Sequence, residues 1–395
     1  SAFARGGYVT AGECDGLPRL QLRTPAGFCV GLVAQGFKFP RGLLVLPDGD
    51  LLVADMGGWV EGRGSIWRLS RQGGKYERRQ VFGKLDRPAS LALGPDGKVY
   101  VGTVGRVFRF DPAPPQAVAE DVIGGRAALP ALPLTGRHPL PLLVFDRDGQ
   151  LYVNVGSASD NCESPGGAAP DAASPCPETT GRDARGVIRL YSIKWPEGKI
   201  TGWSDYAHGL RNSMALAIHP DSGALWQGEN SRDAISARDA SLDDRALPHD
   251  ELNLIRKGAH YGWPYCYDEN RPSPEYAAHK CTDYTRPELL LPPHAAPLGM
   301  AFHGGRGWPT RLRNALVVSF HGYRDSGHRL LAYPFGAGGR PRGRPEVLVD
   351  GWGPGKSTPM GAPVDVKIAA DGAVFVSEDR NGTVLRLVCS AAAGC

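Results

Sequence analysis

The sequence predicts an all-β chain arranged as a six-bladed β-propeller. Three observations point there: one hairpin unit recurs six times, turn-forming residues are spread along the whole chain, and almost no segment keeps a helical period. The unit runs from a Pro or Gly through an apolar strand, a Pro-Asp-Gly-like turn and a second apolar strand. Its copies lie at 40–55, 87–104, 140–156, 214–229, 299–320 (degenerate) and 362–378. Asp48-Gly49, Asp96-Gly97, Asp148-Gly149, Asp221-Ser222-Gly223 and Asp371-Gly372 mark the turns. Asp-Gly between alternating apolar runs is a strong hairpin signal, read here as a turn with positive φ at both central residues. Further strand-like runs follow at 64–69, 107–110, 186–192, 251–255, 329–333 and 382–387. Radial repetition of such units leaves each blade only short, protected edges. A β-sandwich or solenoid is the competing architecture, but a solenoid would have shorter, more even repeats.

The 395 residues read as a single domain, 1–395, with its core at about 28–388. The 53 glycines and 34 prolines supply the turns of many short strands. With 45 Lys+Arg against 41 Asp+Glu, the net charge is only +4 and no basic run occurs, so nucleic acid is excluded as a partner. No stretch approaches 18 apolar residues, so no transmembrane helix is expected. Eight cysteines form four local couples, Cys14 with Cys29, Cys162 with Cys176, Cys266 with Cys281 and Cys389 with Cys395. Proximity alone suggests this pairing, one of 105 connectivities. Disulfides and the lack of CxxC point to a secreted or periplasmic protein. The start at Ser1, without a basic, apolar leader, reads as a mature form lacking its signal peptide.

Long insertions at 111–139, 157–185, 231–250 and 256–297 separate the repeats and nominate one face as the active one. The segment 353–358 ends like a phosphate-binding loop, but Asp350 stands where its first glycine belongs. No GxSxG elbow or GxGxxG helix start is present. Asn381-Gly382-Thr383 reads either as a glycosylation sequon or as a hairpin turn. Trp203, Trp226, Trp263 and Trp308 read as blade packing more readily than as stacking platforms.

Four stretches carry a family resemblance: 138–153, from His138-Pro139; 154–163, from Asn154-Val155-Gly156; His208-Gly209-Leu210-Arg211-Asn212-Ser213; and 249–255, with Asp250-Glu251-Leu252-Asn253, running on to Tyr261-Gly262-Trp263-Pro264. Across residues 28–388 the chain resembles the soluble quinoprotein sugar dehydrogenases, six-bladed propellers that bind pyrroloquinoline quinone (PQQ). The nearest branch is the sorbosone or pyranose dehydrogenase type. The resemblance implies PQQ-dependent oxidation of a sugar or sugar-derived aldehyde, with the long loops on the cofactor-binding face and Ca2+ as a second cofactor. It further implies a sugar substrate and an external electron acceptor (a quinone, dye or cytochrome), since no CxxCH haem motif is present.

Residue by residue, the resemblance makes His138 the general base that takes the substrate's hydroxyl proton while hydride passes to the quinone. An imidazole with a near-neutral pKa suits that task. Arg211 and Asn212 match a pair lying against PQQ, where a guanidinium suits developing negative charge on the quinone oxygens. Asn230 joins them as a cofactor contact. Backbone carbonyls at Ser231 and Arg232 match calcium ligands, which include carbonyl oxygens. Family members often have Gly at the place of Ser231. Asp250 and Glu251 read either as part of a second calcium site or as a solvated acidic strand start. His321 matches a cofactor-contacting lysine or histidine. Ala362 and Val364 stand where some glucose-oxidising members carry arginines, which disfavours a glucose dehydrogenase. Arg41 reads either as a replacement charge at the channel mouth or as a solvated loop arginine. Two alternatives remain open: a calcium-dependent lactonase or esterase using residues such as Asn154, Asn230 and Asp365, or a non-catalytic extracellular binding module.

Overall fold

A computed structural model describes residues 8–322, 324–353, 361–390 and 395. Six antiparallel sheets form the ring. The first blade is Pro40–Val45, Leu51–Asp55, Gly64–Gln72 and Lys75–Leu85. The second is Ser90–Leu93, Val99–Thr103, Arg106–Phe110 and Glu120–Ile123. The third is Leu143–Phe145, Leu151–Val155, Val187–Lys194 and Lys199–His208. The fourth is Ala215–Ile218, Leu225–Glu229, His249–Ile255 and Leu289–Pro293. The fifth is Pro297–Phe302, Leu316–Phe320, Arg329–Tyr333 and Glu346–Val349. In the sixth, Pro363–Ile368, Val374–Glu378 and Thr383–Cys389 take their outer strand from Phe28–Ala34, which locks the two ends of the ring together. The first strand of each blade packs on the first strand of the next, back to the start.

The middle strands are buried on both faces because each blade is sandwiched between two others. Leu51–Asp55, Val99–Thr103, Leu151–Val155, Leu225–Glu229 and Leu316–Phe320 are buried throughout. Between the first two blades, for example, Leu44, Leu52, Ile66, Leu91, Val101 and Phe108 form one apolar core. Another cluster draws on all six blades: Met56, Ala89, Val104, Leu140, Met214, Leu298 and Val364. It forms an apolar collar where the inner strands begin. Val364 belongs to it. A cavity of about 230 Å3 lies among the inner strands, lined by residues such as Leu44, Leu91, Leu143, Leu216, Met300 and Lys367.

The Asp-Gly turns differ from the expectation in one respect. Gly49, Gly97, Gly149, Gly223 and Gly372 have positive φ, but the aspartates before them do not. In the first repeat Gly49 N–H bonds Leu46 O at 2.9 Å and Leu46 N–H bonds Asp50 O at 2.8 Å. The aspartate acts through its side chain instead: Asp48 Oδ1 accepts Asp50 N–H at 3.0 Å, as Asp96 and Asp371 accept Lys98 and Ala373 N–H. One αL glycine plus an Asx bond makes the turn, so only one residue needs the left-handed region.

All four expected disulfides are present. The sequence missed the hairpin Thr10–Cys14 and Leu17–Leu20, which extends the sixth blade, and the strand Glu120–Ile123 inside the 111–139 insertion. Asn381 is buried beside Gly382 (φ 68°), so this is a hairpin turn and not an accessible glycosylation site. Trp226, Trp263 and Trp308 are buried packing. Residues 354–358 of the phosphate-loop-like segment lie outside the described residues.

Candidate active site

Chain direction alternates within each blade, so the links from second to third strand and from fourth strand to the next blade share one end. His138, Arg211, Asn212, Asn230, Ser231, Asp250 and His321 all fall on or beside those links, opposite the Asp-Gly turns. The 157–185 loop, stapled by Cys162–Cys176, and the 256–288 loop, stapled by Cys266–Cys281, pack together there. Tyr265 OH accepts Cys176 N–H, and Asn161 Nδ2 donates to Pro264 O.

An arc of hydrogen bonds joins the expected residues. His138 N–H donates to Ser157 O at 3.0 Å, and Ser157 N–H donates to Arg211 O at 2.8 Å. His138 Nδ1 lies 2.8 Å from Ser157 Oγ. Buried Arg211 uses every donor it has: Nε to Asp160 O, Nη1 to the carbonyls of Asn230 and Ser231 at 3.0 Å each, and Nη2 to Asp160 Oδ1 (2.6 Å) and Asp233 Oδ2 (3.1 Å). Ser231 N–H donates to Asp250 Oδ1, and Asp250 Oδ2 accepts Ala296 N–H. Ala296 O accepts His321 N–H. His321 Nε2 and Arg41 Nη1 then share Asp379, at 2.9 and 3.2 Å. Asn212 Oδ1 accepts from Asn154, and its N–H donates to Glu229.

Several expectations need correction. Arg41 is not a solvated loop arginine: it is 6% exposed, lies on a strand, and its buried Nε has no hydrogen-bond partner among the described residues. Asp250 and Glu251 are not a solvated strand start, being 2% and 5% exposed. The Arg232 side chain turns to buried Glu275 at 2.7 Å. His138 does not have a near-neutral pKa: burial first, then the charges of Arg211 and Arg137, push it down to about 2. The imidazole is therefore neutral at any working pH.

Sequence reasoning gave no role to Asp160, Asp233, Asp379 or Ser157. Burial opposes ionisation of Asp160, but Arg211 and the Asp233 N–H hold it down to about 2. Asp379 is likewise held below the usual carboxylate range against burial, by His321 and Arg41. Burial pushes Glu229 up to about 8, Asp250 up to about 7 and Glu251 well above its ordinary value. A void of about 20 Å3, room for one water or small ion, lies among Glu229, Glu251, Ser231, Arg211 and Tyr261.

One missed signal was readable. Three repeats end their second strand on an acid: Asp55, Glu229 and Glu378. Each ties the incoming link to its own blade, Asp55 accepting Phe39 and Gly57 N–H, Glu229 accepting Asn212 N–H, and Glu378 accepting Ala362, Arg380 and Asn381 N–H. Burial raises Glu378 to about 7. A carboxyl raised on folding favours the native state below its unfolded pKa and loses that advantage as pH rises through the folded value. Wild-type stability should therefore decline between about pH 4.5 and 7, by up to about 1.4 kcal/mol per pH unit from this group. Thermal melts at pH 5, 6, 7 and 8 should show a flatter decline in Glu378→Gln; an unchanged slope would remove Glu378 from that role.

Gly156 is required by close approach. A Cβ there would lie 2.5 Å from His138 Cβ and 2.7 Å from its carbonyl oxygen. Gly156→Ala should displace the imidazole and lower turnover about a hundredfold, the scale of a 1 Å misplacement. Full activity in that variant would show that the ring's position is not held from below.

Residues 22–277 match the TrAA12-like family. A pyrroloquinoline quinone-dependent sugar dehydrogenase of Hypocrea jecorina is 24% identical, covering 85% of this chain and 81% of the relative. A pyrroloquinoline quinone-dependent pyranose dehydrogenase of Coprinopsis cinerea is 23% identical, covering 82% of this chain and 46% of the relative. An uncharacterized protein of Borreliella burgdorferi is 27% identical over 64% of this chain and 60% of its own. The chain thus spans about half to four-fifths of the length of these relatives. Among solved structures, a Trichoderma reesei member of carbohydrate-active enzyme family AA12 superposes with a TM-score of 0.74 at 21% identity, over 96% of this chain and all of the other. The PQQ domain of the Coprinopsis cinerea pyranose dehydrogenase, in its holo form, superposes with a TM-score of 0.70 at 20% identity, over 94% and 98%. At that identity the likeness is one of fold.

Proposed function

From a chain that belongs to the TrAA12-like family, we propose a PQQ-dependent sugar dehydrogenase that oxidises a sugar or sugar-derived aldehyde. The observation that carries the reading is His138, hydrogen-bonded through Nδ1 to Ser157 and wired through that residue to a five-fold anchored Arg211. The activities of the Hypocrea jecorina and Coprinopsis cinerea relatives support it.

The residues fit the expected cofactors. Arg41 offers an anionic group a buried Nε–H that has no partner among the described residues, with His321 beside it on Asp379. For a divalent cation, the carbonyls of Asn230 and Ser231 converge on Arg211 Nη1 and each keep a second lone pair, and Glu229 and Glu251 border the small void. Asp250 shapes this site through two backbone N–H groups, and Arg232 pins its loop. We therefore place Asn230 beside Ser231 in the ligand set, ahead of Arg232. When bound, PQQ supplies the hydride acceptor and Ca2+ a Lewis acid.

His138 Nε2 takes the proton of the substrate hydroxyl as the C–H electron pair leaves. Arg211 sets a fixed positive charge beside that step, with Asp160 and Asp233 holding its orientation. The apolar collar of Leu140, Met214 and Val364 floors the site and limits water from the channel. An external acceptor closes the cycle. Four disulfides support an extracellular or periplasmic location; among the described residues no helix is long and apolar enough to cross a membrane. A lactonase would need Asn154, Asn230 and Asp365 to converge, yet each turns to a different partner: Asn212, the Pro297 carbonyl and Lys367.

The test is a titration of calcium-loaded protein with PQQ, followed by absorbance and by dye reduction across a sugar panel. Stoichiometric uptake with sugar-dependent turnover is expected. Ester hydrolysis without PQQ, or neither activity, would overturn the reading.

A further inference from the structure

We propose that Ser157 is the positioning residue of the base, accepting the Nδ1 proton of His138 and so leaving Nε2 as the bare nitrogen; its catalytic consequence rests on the dehydrogenase reading. A serine hydroxyl has one proton and two lone pairs. Ser157 Oγ lies 2.6 Å from the Ser159 carbonyl, which can only accept, so the proton goes there. Toward His138, 2.8 Å away, Oγ therefore presents a lone pair, and Nδ1 must carry hydrogen. The partner of one ring nitrogen decides which tautomer is present. Nε2 makes no hydrogen bond among the described residues, so it is the nitrogen left to take a proton.

The opposite tautomer would set two lone pairs against each other at 2.8 Å, unless Ser157 abandoned the Ser159 carbonyl. Little in the surroundings allows that. Ser157 is fully buried, its N–H is held by Arg211 O, and its own carbonyl holds His138 N–H. Ser159 Oγ in turn accepts the N–H of Cys162, where the disulfide loop begins. The imidazole is thus oriented by a relay that runs into the Cys162–Cys176 staple, and Ser157, being fully buried, acts through the ring.

The test reads the tautomer in the cofactor-free protein. With histidines labelled with nitrogen-15, and the His138 signals assigned by difference against His138→Gln, the wild type should show a protonated Nδ1 and a bare Nε2. Ser157→Ala should give a mixture of tautomers, and Ser157→Thr, which keeps the hydroxyl, should restore the wild-type pattern. In loaded enzyme Ser157→Ala should lower kcat about tenfold, the weight of one net hydrogen bond, with KM and PQQ uptake unchanged. A wild-type Nε2–H tautomer would overturn the proposal. So would a Ser157→Ala protein that keeps the wild-type tautomer, whether or not its kcat falls. Absence of sugar oxidation by the wild type would count against the dehydrogenase reading alone, because the spectrum of the cofactor-free protein decides the role of Ser157 by itself.

Discussion

Replacing His138 with alanine is expected to lower turnover at least about a hundredfold while PQQ uptake stays as in the wild type. General-base contributions run from about 10² to 10⁴. The burial that keeps His138 unprotonated and available to accept also weakens it as a base. With its pKa driven down to about 2 by burial and by Arg211 and Arg137, the ring is unprotonated across the working range. No acid limb from His138 should then appear in the pH profile of kcat/KM above about pH 4. Alanine removes the acceptor but leaves Ser157 bound to Ser159 and Arg211 fully anchored, so cofactor binding should survive. Steady-state kinetics beside a PQQ titration separates the two effects. Turnover within a few-fold of wild type would remove His138 from the base position.

Arg211→Ala should have the broader consequence, weakening cofactor uptake, rate and stability together. The guanidinium satisfies the carbonyls of Asp160, Asn230 and Ser231 and neutralises Asp160 and Asp233. Removing one partner of a buried pair costs about 3–5 kcal/mol, because the other charge stays buried without compensation. The Asn230 and Ser231 carbonyls are also the proposed cation ligands, and Arg211 holds them in place through one lone pair of each. Arg211→Lys should recover part of the stability and little of the rate, since an ammonium cannot reproduce the planar fork. Melting temperature and PQQ titration measured together check this. An unchanged titration in Arg211→Ala would contradict the placement.

How much of this was legible follows from where the information resides. Inner and middle strands announce themselves because both faces are buried, as in Leu51–Asp55 and Val374–Glu378. Outer strands do not: Lys75–Leu85 has no fully buried residue, and Thr10–Cys14 has only Cys14 buried. Arg211-Asn212 and His138 stood out through resemblance to a family. Asp160, Asp233, Asp379 and Ser157 act only because loops from different blades converge, and spacing along the chain carries no trace of that. The acids Asp55, Glu229 and Glu378 are the exception, since aligning the repeats on their second strands exposes them.

The most direct measurement is an anaerobic single turnover. Protein loaded with calcium and one equivalent of PQQ is mixed with a sugar, and with the same sugar deuterated at the carbon being oxidised. Stoichiometric loss of the oxidised quinone absorbance, slower with the deuterated sugar and at least a hundredfold slower in His138→Ala, is the expected result. A bound quinone that stays oxidised in the presence of every sugar tried would contradict the account.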